Sequence, residues 1–224
     1  MYRVEDKYAL SMRDMYILRT RINAILQPDS NDSNLYGYKI SSLYFDDIHD
    51  THLIDTINGN PFRKKYRVRI YNDSFDLIKL EVKNKQYNRI KKVSATITKE
   101  QLDSLINGET IDSKSNDMDN PINMFNIEMK SRLLRPKVIV TYERKAYVSE
   151  VGNVRITFDT NLRGSNHIQL YGKKDLQYDS IKGQDSVLEV KYDEFLPDYI
   201  AQTLEINRMW QTAFSKYRLC RELY

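Results

Sequence analysis

Apolar and polar residues alternate along several short segments of this chain, a pattern typical of β-strands with one buried face. The segment KKYRVRIYN, at 64–72, contains the apolar residues Tyr66, Val68 and Ile70 in alternation with Arg67 and Arg69. Because successive side chains of a strand point to opposite faces, the apolar residues are expected in the core. The two arginines then share the opposite face, where their role needs an explanation.

The same alternation predicts most of the secondary structure. Strands are expected at 2–10, 36–47, 62–72, 75–85, 89–98, 137–148, 153–162 and 187–193. Apolar spacing near 3.6 residues predicts helices at 11–26, 98–108, 120–134, 197–206 and 209–222, with a short helix or turn at 49–59. Short polar turns join three consecutive strands into an antiparallel meander. The pattern favours a single α+β domain spanning residues 1–224.

Charged residues recur on the polar faces of the predicted strands. They are Glu5, Lys7, Arg67, Arg69, Glu81, Lys83, Lys92, Arg144, Arg155, Asp159, Glu189 and Lys191. Polar faces of antiparallel sheets are usually just solvated, which is the simplest interpretation of any one strand. Taken together, however, these positions are mostly arginine and lysine in the middle of strands, where Thr, Ser and Tyr are the commoner choices.

Composition limits the class of protein. The 224 residues carry 35 basic and 31 acidic side chains, a net charge of +4 that does not require a nucleic-acid partner. The single cysteine, Cys220, excludes an intramolecular disulfide framework. The charged start MYRVEDKYAL lacks the apolar run of a signal peptide, and no stretch approaches the roughly 20 apolar residues of a membrane span. A cytoplasmic location is therefore expected.

An anion-binding lumen would explain the basic faces. About eight strands closed into an antiparallel β-barrel leave an interior wide enough for side chains or one small ligand. Cationic side chains that converge there repel one another unless an anion neutralises them. Arginine favours phosphate through bidentate contacts, and a glutamate could hold a hard divalent cation shared with phosphate oxygens.

The chain resembles the polyphosphate polymerase (VTC) domain of the CYTH-like triphosphate tunnel enzymes. The motifs that carry this resemblance, in chain order, are EDKYAL, SSLYFDD, YRVRIY, LEVKNK, VTYERKAY, VRITFDTNL, VLEVKYD and SKYRLC. No single motif is specific, but all eight occur in the expected order along most of the chain. The resemblance implies an antiparallel β-barrel tunnel with helices packed outside. It also implies transfer of the γ-phosphoryl group of ATP to a growing polyphosphate chain.

The resemblance also assigns roles to individual residues. Those that it places in catalysis on the triphosphate are Arg67, Arg69, Lys83, Arg144 and Arg155. Those that it implies for phosphate binding are Lys7, Lys92, Tyr142, Ser215 and Lys216. Lys91 competes with Lys92 for its role, although alternation favours Lys92. Glu189 is the implied metal ligand, with Mn²⁺ or Mg²⁺ as the cofactor, and Glu81 is either a second ligand or a salt-bridge partner of a tunnel arginine.

Several functional alternatives stay open at this point. The first strand offers Glu5 and Lys7 without the doubled glutamate of the hydrolytic relatives, which favours a polymerase over an inorganic triphosphatase. A non-catalytic module that binds polyphosphate is a second alternative. An RNA-binding protein is disfavoured, because the charged faces carry no aromatic platform. The expected partners are ATP and polyphosphate, with a membrane protein as a possible further partner and no membrane span in the chain itself.

Overall fold

The computed structural model of the protein describes residues 3–30, 32, 37–87, 89–181, 183, 186–205 and 209–224. Within these ranges the chain has ten strands, which are β1 (Val4–Leu10), β2 (Gln27–Pro28), β3 (Tyr38–Asp46), β4 (Phe62–Tyr71), β5 (Ser74–Gln86), β6 (Arg89–Ile97), β7 (Arg135–Ser149), β8 (Val154–Ser165), β9 (Asp179–Ser180) and β10 (Ser186–Tyr192). Its six α-helices are α1 (Met12–Asn23), α2 (Thr51–Ile57), α3 (Lys99–Ile106), α4 (Pro121–Ser131), α5 (Asp198–Thr203) and α6 (Lys216–Arg221). The eight predicted strands are therefore confirmed in type, and the last predicted helix is much shorter than 209–222.

Local signals explain where the helices begin. Ser11 caps α1 by accepting a hydrogen bond from the Asp14 N–H at 3.1 Å. Thr98 and Gln101 form a reciprocal capping box at the start of α3. Asn120 caps α4, and Pro121 occupies its first turn, where a missing N–H costs nothing. None of these helices is long and apolar enough to cross a membrane, and the same holds for the other helices of the described residues.

The strands form a mostly antiparallel sheet, but the predicted barrel is only partly supported. The strand order is β1-β10-β8-β7-β3-β4-β5-β6, with β2 paired to β7 and β9 paired to β8. The meander of β4, β5 and β6 is antiparallel, as predicted. Among the described residues no pairing joins β1 to β6, so the sheet has two ends and is not closed.

The edge strand β1 already has a different partner. Tyr8 forms an isolated antiparallel bridge with Gln211, and the Thr212 N–H donates to the Lys7 carbonyl at 2.8 Å. The segment that follows α5 therefore occupies hydrogen-bonding groups of β1 that closure of a barrel would need. Alternation within the strands does not reveal this, because the pairing depends on a residue more than two hundred positions away.

The chain folds as two compact units, and each is built from discontinuous segments. The first unit contains Met1–Lys39, Tyr142–Leu162 and Ser180–Phe214, and the second contains Ile40–Thr141, Arg163–Asp179 and Ser215–Tyr224. Each has an apolar core of its own. The core of the first unit is built around Met15, Ile22, Ile156, Phe158 and Leu188. The core of the second unit is built around Tyr66, Val68, Leu80, Phe125 and Leu105.

Candidate functional site

In the second unit, the polar face of β4, β5 and β6 is a basic surface. Its cross-strand rows are Lys65–Lys83–Lys92, Arg67–Glu81–Ser94 and Arg69–Lys79–Thr96. These rows contain six cationic side chains and one carboxylate. We call them the basic face. The opposite face of the same strands lies in the core, because Tyr66, Val68 and Ile70 are fully buried as predicted.

Glu81 is the centre of the basic face. Its side chain is almost fully buried, and its oxygens lie 2.7 Å from Arg67 Nε, 2.8 Å from Lys92 Nζ and 3.8 Å from Arg69 Nη1. Burial alone raises the pKa of Glu81, but the charges of Arg67, Arg69 and Lys92 outweigh this effect and hold the pKa well below its usual range. Of the two roles expected for Glu81, the contacts support the salt-bridge partner.

Strand β3 holds the two arginines of the basic face from the other side. Arg67 Nη1 donates to the Tyr44 hydroxyl at 2.9 Å, and its guanidinium lies over the Tyr44 ring. Arg69 Nε donates to Ser42 Oγ at 3.3 Å. Both guanidinium groups are thereby fixed before any ligand binds, which is the preorganisation that binding of a charged ligand requires. Tyr44 was not predicted as a site residue, although it alternates with the core residues Leu43 and Phe45.

The start of α6 lies beside the basic face. Lys65 Nζ contacts Ser215 Oγ at 2.8 Å, and Ser215 also caps α6 by accepting from the Arg218 N–H. The next residues are Lys216, which is half-buried, and Tyr217, whose ring stacks on Tyr44 with centroids 5.0 Å apart. The predicted residue Ser215 therefore contacts β4 at Lys65, two residues before the predicted Arg67 on the same face, and the predicted Lys216 follows it at the start of α6.

A buried aspartate fixes α6 in this position. The Tyr217 hydroxyl donates to Asp46 Oδ2 at 2.5 Å. The same Asp46 carboxylate accepts the backbone N–H groups of Asp47, His52 and Leu53, so it also anchors the start of α2. Burial raises the pKa of the Tyr217 hydroxyl, and the negative charge of Asp46 raises it further, which keeps the hydroxyl protonated as the donor.

In the first unit, the polar face of the strands carries an alternating chain of ion pairs. Arg144 makes a bidentate contact with Asp159 at 2.6 and 2.7 Å, and its Nη2 lies 3.5 Å from Glu189. The chain continues from Glu189 to Lys191 at 2.8 Å, from Lys191 to Glu5 at 3.4 Å and from Glu5 to Lys7 at 3.0 Å. This series of ion pairs does not have the expected excess of cations, because Asp159, Glu189 and Glu5 balance the charges of its three basic side chains.

Two further contacts complete the polar face of the first unit. Arg155 pairs with Asp29 at 2.8 Å and donates to the Tyr38 hydroxyl at 3.2 Å. The Tyr142 ring lies beneath the Arg144 guanidinium at 5.3 Å, so Tyr142 supports a cation and is itself almost fully buried.

Gly37 has a φ of +89°, and a Cβ there would lie 2.2 Å from the Arg144 carbonyl oxygen. A side chain at position 37 would therefore displace the strand that presents Arg144.

The carboxylates of the first unit provide a test of the predicted metal site. No group of three or more His, Cys, Asp or Glu residues within the described ranges is arranged to hold a metal ion. Glu5 and Glu189 are nonetheless both about nine-tenths buried, and one ammonium group, that of Lys191, bridges them. Mg²⁺ and Mn²⁺ commonly bind through one or two carboxylates plus phosphate oxygens. These two residues fit such an ion only if a phosphate supplies the remaining ligands.

The predicted site residues divide between the two units. Arg67, Arg69, Lys83, Lys92, Ser215 and Lys216 belong to the second unit, and Lys7, Tyr142, Arg144, Arg155 and Glu189 belong to the first. The sequence interpretation missed Lys65 and Lys79 on the basic face and Asp159 and Asp29 in the first unit. Period two points to three of them, because Lys65 and Lys79 lie two residues from Arg67 and Glu81, and Asp159 lies four residues from Arg155 on the same face. Asp29 precedes β3 in a loop, where no periodicity points to Arg155.

The fold is similar to that of solved structures whose sequences have diverged widely. A candidate adenylate cyclase from Vibrio parahaemolyticus matches with a TM-score of 0.54 and 12% identity, covering 98% of this chain and 97% of that one. The PH1819 protein from Pyrococcus horikoshii OT3 gives a TM-score of 0.49 and 14% identity, with both chains fully covered. At such identities only the similarity in fold to the Vibrio protein carries weight. No curated protein sequence matches the chain significantly.

The family assignment comes from the sequence as a whole. The VTC domain matches residues 2–224, which is nearly the entire chain. The match includes both the basic face of β4–β6 and the ion-pair chain of the first unit, and it agrees with the resemblance drawn from the eight motifs. This protein therefore belongs to the VTC domain family.

Proposed function

We propose that this VTC domain is a polyphosphate polymerase, which transfers the γ-phosphoryl group of ATP to the end of an inorganic polyphosphate chain. The observation that supports this proposal best is the row Lys65–Lys83–Lys92, in which three lysines lie in register across adjacent strands. Like charges in such register destabilise a sheet. A polyanion that lies along the face would turn this repulsion into binding energy.

The basic face suits a linear chain of phosphates. Lys65 and Arg69 lie four residues apart on β4, and Lys79 and Lys83 lie four apart on β5, so each set extends over about 13 Å at the rise of a strand. Glu81, Tyr44 and Ser42 orient Arg67 and Arg69 on the basic face, and guanidinium groups suit phosphate oxygens through bidentate contacts. Several phosphoryl groups in a row can be bound at once in this way.

The chemistry needs little covalent participation by the protein. The terminal oxygen of polyphosphate is already ionised at neutral pH, so neither a general base nor a protein nucleophile is required. The cations Lys7, Arg144 and Arg155 of the first unit would neutralise charge on the phosphoryl groups, while Glu189 and Glu5 would hold Mn²⁺ or Mg²⁺ against phosphate oxygens. When bound, such an ion would draw charge from the transferred phosphoryl group and stabilise the transition state.

An inorganic triphosphatase is the second candidate, and one observation favours it. The first unit concentrates Glu5, Glu189 and Asp159 on one face, and hydrolysis needs carboxylates that orient a metal and an attacking water. One of these three carboxylates is committed elsewhere, however, because both oxygens of Asp159 contact Arg144. The polymerase therefore remains the better supported proposal.

The test is a comparison of products. Purified protein is incubated with ATP and Mn²⁺, and the products are separated on a gel stained for polyphosphate. A polyphosphate ladder is expected from the wild type. Arg69→Ala and Glu189→Ala are expected to lower the yield of polyphosphate on the order of a hundredfold, because the first removes a cation that binds the phosphoryl groups and the second removes a carboxylate that binds the metal. Release of orthophosphate from triphosphate without a ladder would support the triphosphatase.

A matched pair of lysine variants sharpens the test. Lys92 belongs to the basic face and contacts Glu81, whereas Lys91 points to the opposite side of β6. Lys92→Ala is expected to reduce the ladder, and Lys91→Ala is expected to leave it unchanged. An equal loss of polyphosphate product in the two variants would contradict the assignment of the basic face. If the wild type binds polyphosphate but makes no product, the protein would be a binding module and not a polymerase.

A further inference from the structure

A second surface of the protein lies at one end of the meander and plays no part in the proposed reaction. There the start of β4, the end of β5 and the start of β6 come together, with Phe62 opposite Gln86 and Gln86 opposite Arg89. The Tyr87 N–H donates to the Pro61 carbonyl at 2.9 Å, which fixes the connection. We call residues 61–64, 85–87 and 89–91 the meander tip.

The meander tip exposes two large aromatic rings. Phe62 is 59% exposed and Tyr87 is 66% exposed, and the two rings meet edge to face with centroids 5.1 Å apart. Tyr87 has a φ of +53°, a left-handed conformation that glycine or asparagine adopts at much lower cost than a bulky residue. A strained, exposed tyrosine at a turn contributes little to the fold, which points to a role in contact with another molecule.

Two exposed aliphatic side chains lie on α2, the helix whose end is held beside the start of β4. Ile54 and Ile57 are each nearly half exposed and lie three residues apart, on one face of α2. Arg63 Nη1 donates to the Thr56 carbonyl at 3.4 Å, so the end of α2 is held beside the start of β4. The end of α2, with its two exposed aliphatic side chains, therefore lies near the start of β4, where Phe62 is located.

Basic residues lie close to the aromatic pair at the meander tip, and one carboxylate, that of Asp55, lies on α2 between Ile54 and Ile57. No acidic residue occurs between Asp55 and Asp73 or between Glu81 and Glu100 in the sequence. The cations of the meander tip are Arg63, Lys64, Lys85, Arg89 and Lys91, of which Lys64, Arg89 and Lys91 are exposed. Lys64 contacts Glu128 at 3.5 Å, and the exposure of Lys64, Arg89 and Lys91 directs positive charge of the tip toward solvent.

We propose that the meander tip docks on an anionic lipid surface. Exposed Phe and Tyr with adjacent aliphatic residues suit the boundary between headgroups and acyl chains, and surrounding Lys and Arg suit anionic headgroups. A single-stranded nucleic acid would also use aromatic rings and cations, but Ile54 and Ile57 offer no stacking surface to a base. The combination of aliphatic, aromatic and basic groups therefore favours a membrane surface.

The test is sedimentation of the full chain with vesicles. The protein is expected to sediment with vesicles of phosphatidylcholine and phosphatidylserine, and to stay in solution with phosphatidylcholine alone. Phe62→Ser with Tyr87→Asn should remove most binding, and asparagine keeps the left-handed backbone at position 87. Arg89→Gln with Lys91→Gln should weaken binding about fivefold for each charge removed, and high salt should weaken it further.

Matched controls separate the tip from charge in general. Trp210→Ser removes an aromatic ring that is 91% exposed in the first unit, and Lys173→Gln with Lys174→Gln removes two exposed cations. Both controls, and Lys83→Gln on the basic face, are expected to retain vesicle binding, and the tip variants are expected to keep their polyphosphate ladder. Absence of binding by wild type, equal loss in controls and tip variants, or binding of oligonucleotides with no binding of vesicles would each overturn the proposal.

Discussion

At the scale of single residues, Glu81 decides the charge balance of the second unit. Its buried carboxylate forms ion pairs with Arg67 and Lys92 and a longer contact with Arg69. A buried ion pair is a weak source of net stability, but the loss of one partner leaves uncompensated charge and costs several kcal/mol. Glu81 therefore holds two guanidinium groups in place without neutralising the whole face, and it leaves a net positive surface for a ligand.

The variant Glu81→Gln tests this role. It is expected to lower the free energy of unfolding by about 3 kcal/mol, because Arg67 and Arg69 lose their charged partner. Inorganic tripolyphosphate should restore more stability to the variant than to the wild type, since the anion replaces the missing charge. The measurement is chemical denaturation with and without tripolyphosphate, with the exposed Glu109→Gln as the control.

The same variant has a defined pH dependence. Folding lowers the pKa of Glu81. Its contribution to the free energy of unfolding is therefore fully present above the pKa of the unfolded state, about 4.3, and is lost as the pH falls below that pKa. The difference in unfolding free energy between wild type and Glu81→Gln should thus be constant near neutral pH and shrink below about pH 4. A difference that grows on acidification would contradict the ion-pair role.

At the scale of elements, α6 is the helix most closely tied to the basic face. It is only six residues long, too short to be stable by itself, so tertiary contacts must hold it. Ser215, Tyr217 and Cys220 supply these contacts through Lys65, Asp46 and the Arg163 carbonyl. Undocking of α6 would remove Ser215 and Lys216 from the neighbourhood of β4.

Alkylation of Cys220 reports on the docking of α6. The thiol is fully buried, and burial raises its pKa to about 12, so the folded protein should resist iodoacetamide at neutral pH and react after denaturation. Tyr217→Phe removes the hydrogen bond to Asp46 and is expected to accelerate alkylation by about tenfold, because hydrogen bonds to charged groups stabilise by roughly 1.5 kcal/mol or more. Mass spectrometry gives the rate, and the exposed Tyr16→Phe serves as the control. Rapid alkylation of the wild type would contradict the docked helix.

The elements also show which parts of the fold the sequence could predict. Strand positions and core faces follow from alternation, since Tyr66, Val68 and Ile70 are buried by the same periodicity that places Arg67 and Arg69 opposite them. Whether the sheet closes into a barrel could not be predicted, because β1 hydrogen-bonds with the distant segment around Gln211 and Thr212. The partners of the cations were equally hidden, since Asp29 reaches Arg155 from a loop without any repeating pattern.

At the scale of the whole molecule, a net charge of +4 conceals two different distributions of charge. The first unit pairs each cation of its ion-pair chain with carboxylates, whereas the second gathers six cations around Glu81 on the basic face. A total charge this close to neutral gives little nonspecific attraction to polyanions. Selective binding of phosphate must then depend on the local excess of charge on the second unit.

The stability of the folded protein should therefore depend on polyanions through the basic face. Tripolyphosphate is expected to raise the melting temperature more than chloride of equal ionic strength, by an amount equivalent to about 2.7 kcal/mol when the ligand is at a hundred times its dissociation constant. Lys83→Gln relieves the repulsion from Lys65 and Lys92 and should raise the melting temperature slightly without ligand, while it reduces the increase caused by tripolyphosphate. The exposed Lys174→Gln should change neither value. The expected rise in melting temperature without ligand, together with the smaller increase with tripolyphosphate, would indicate that the row of lysines serves ligand binding. If Lys83 served the fold instead, the unliganded variant would be less stable than the wild type.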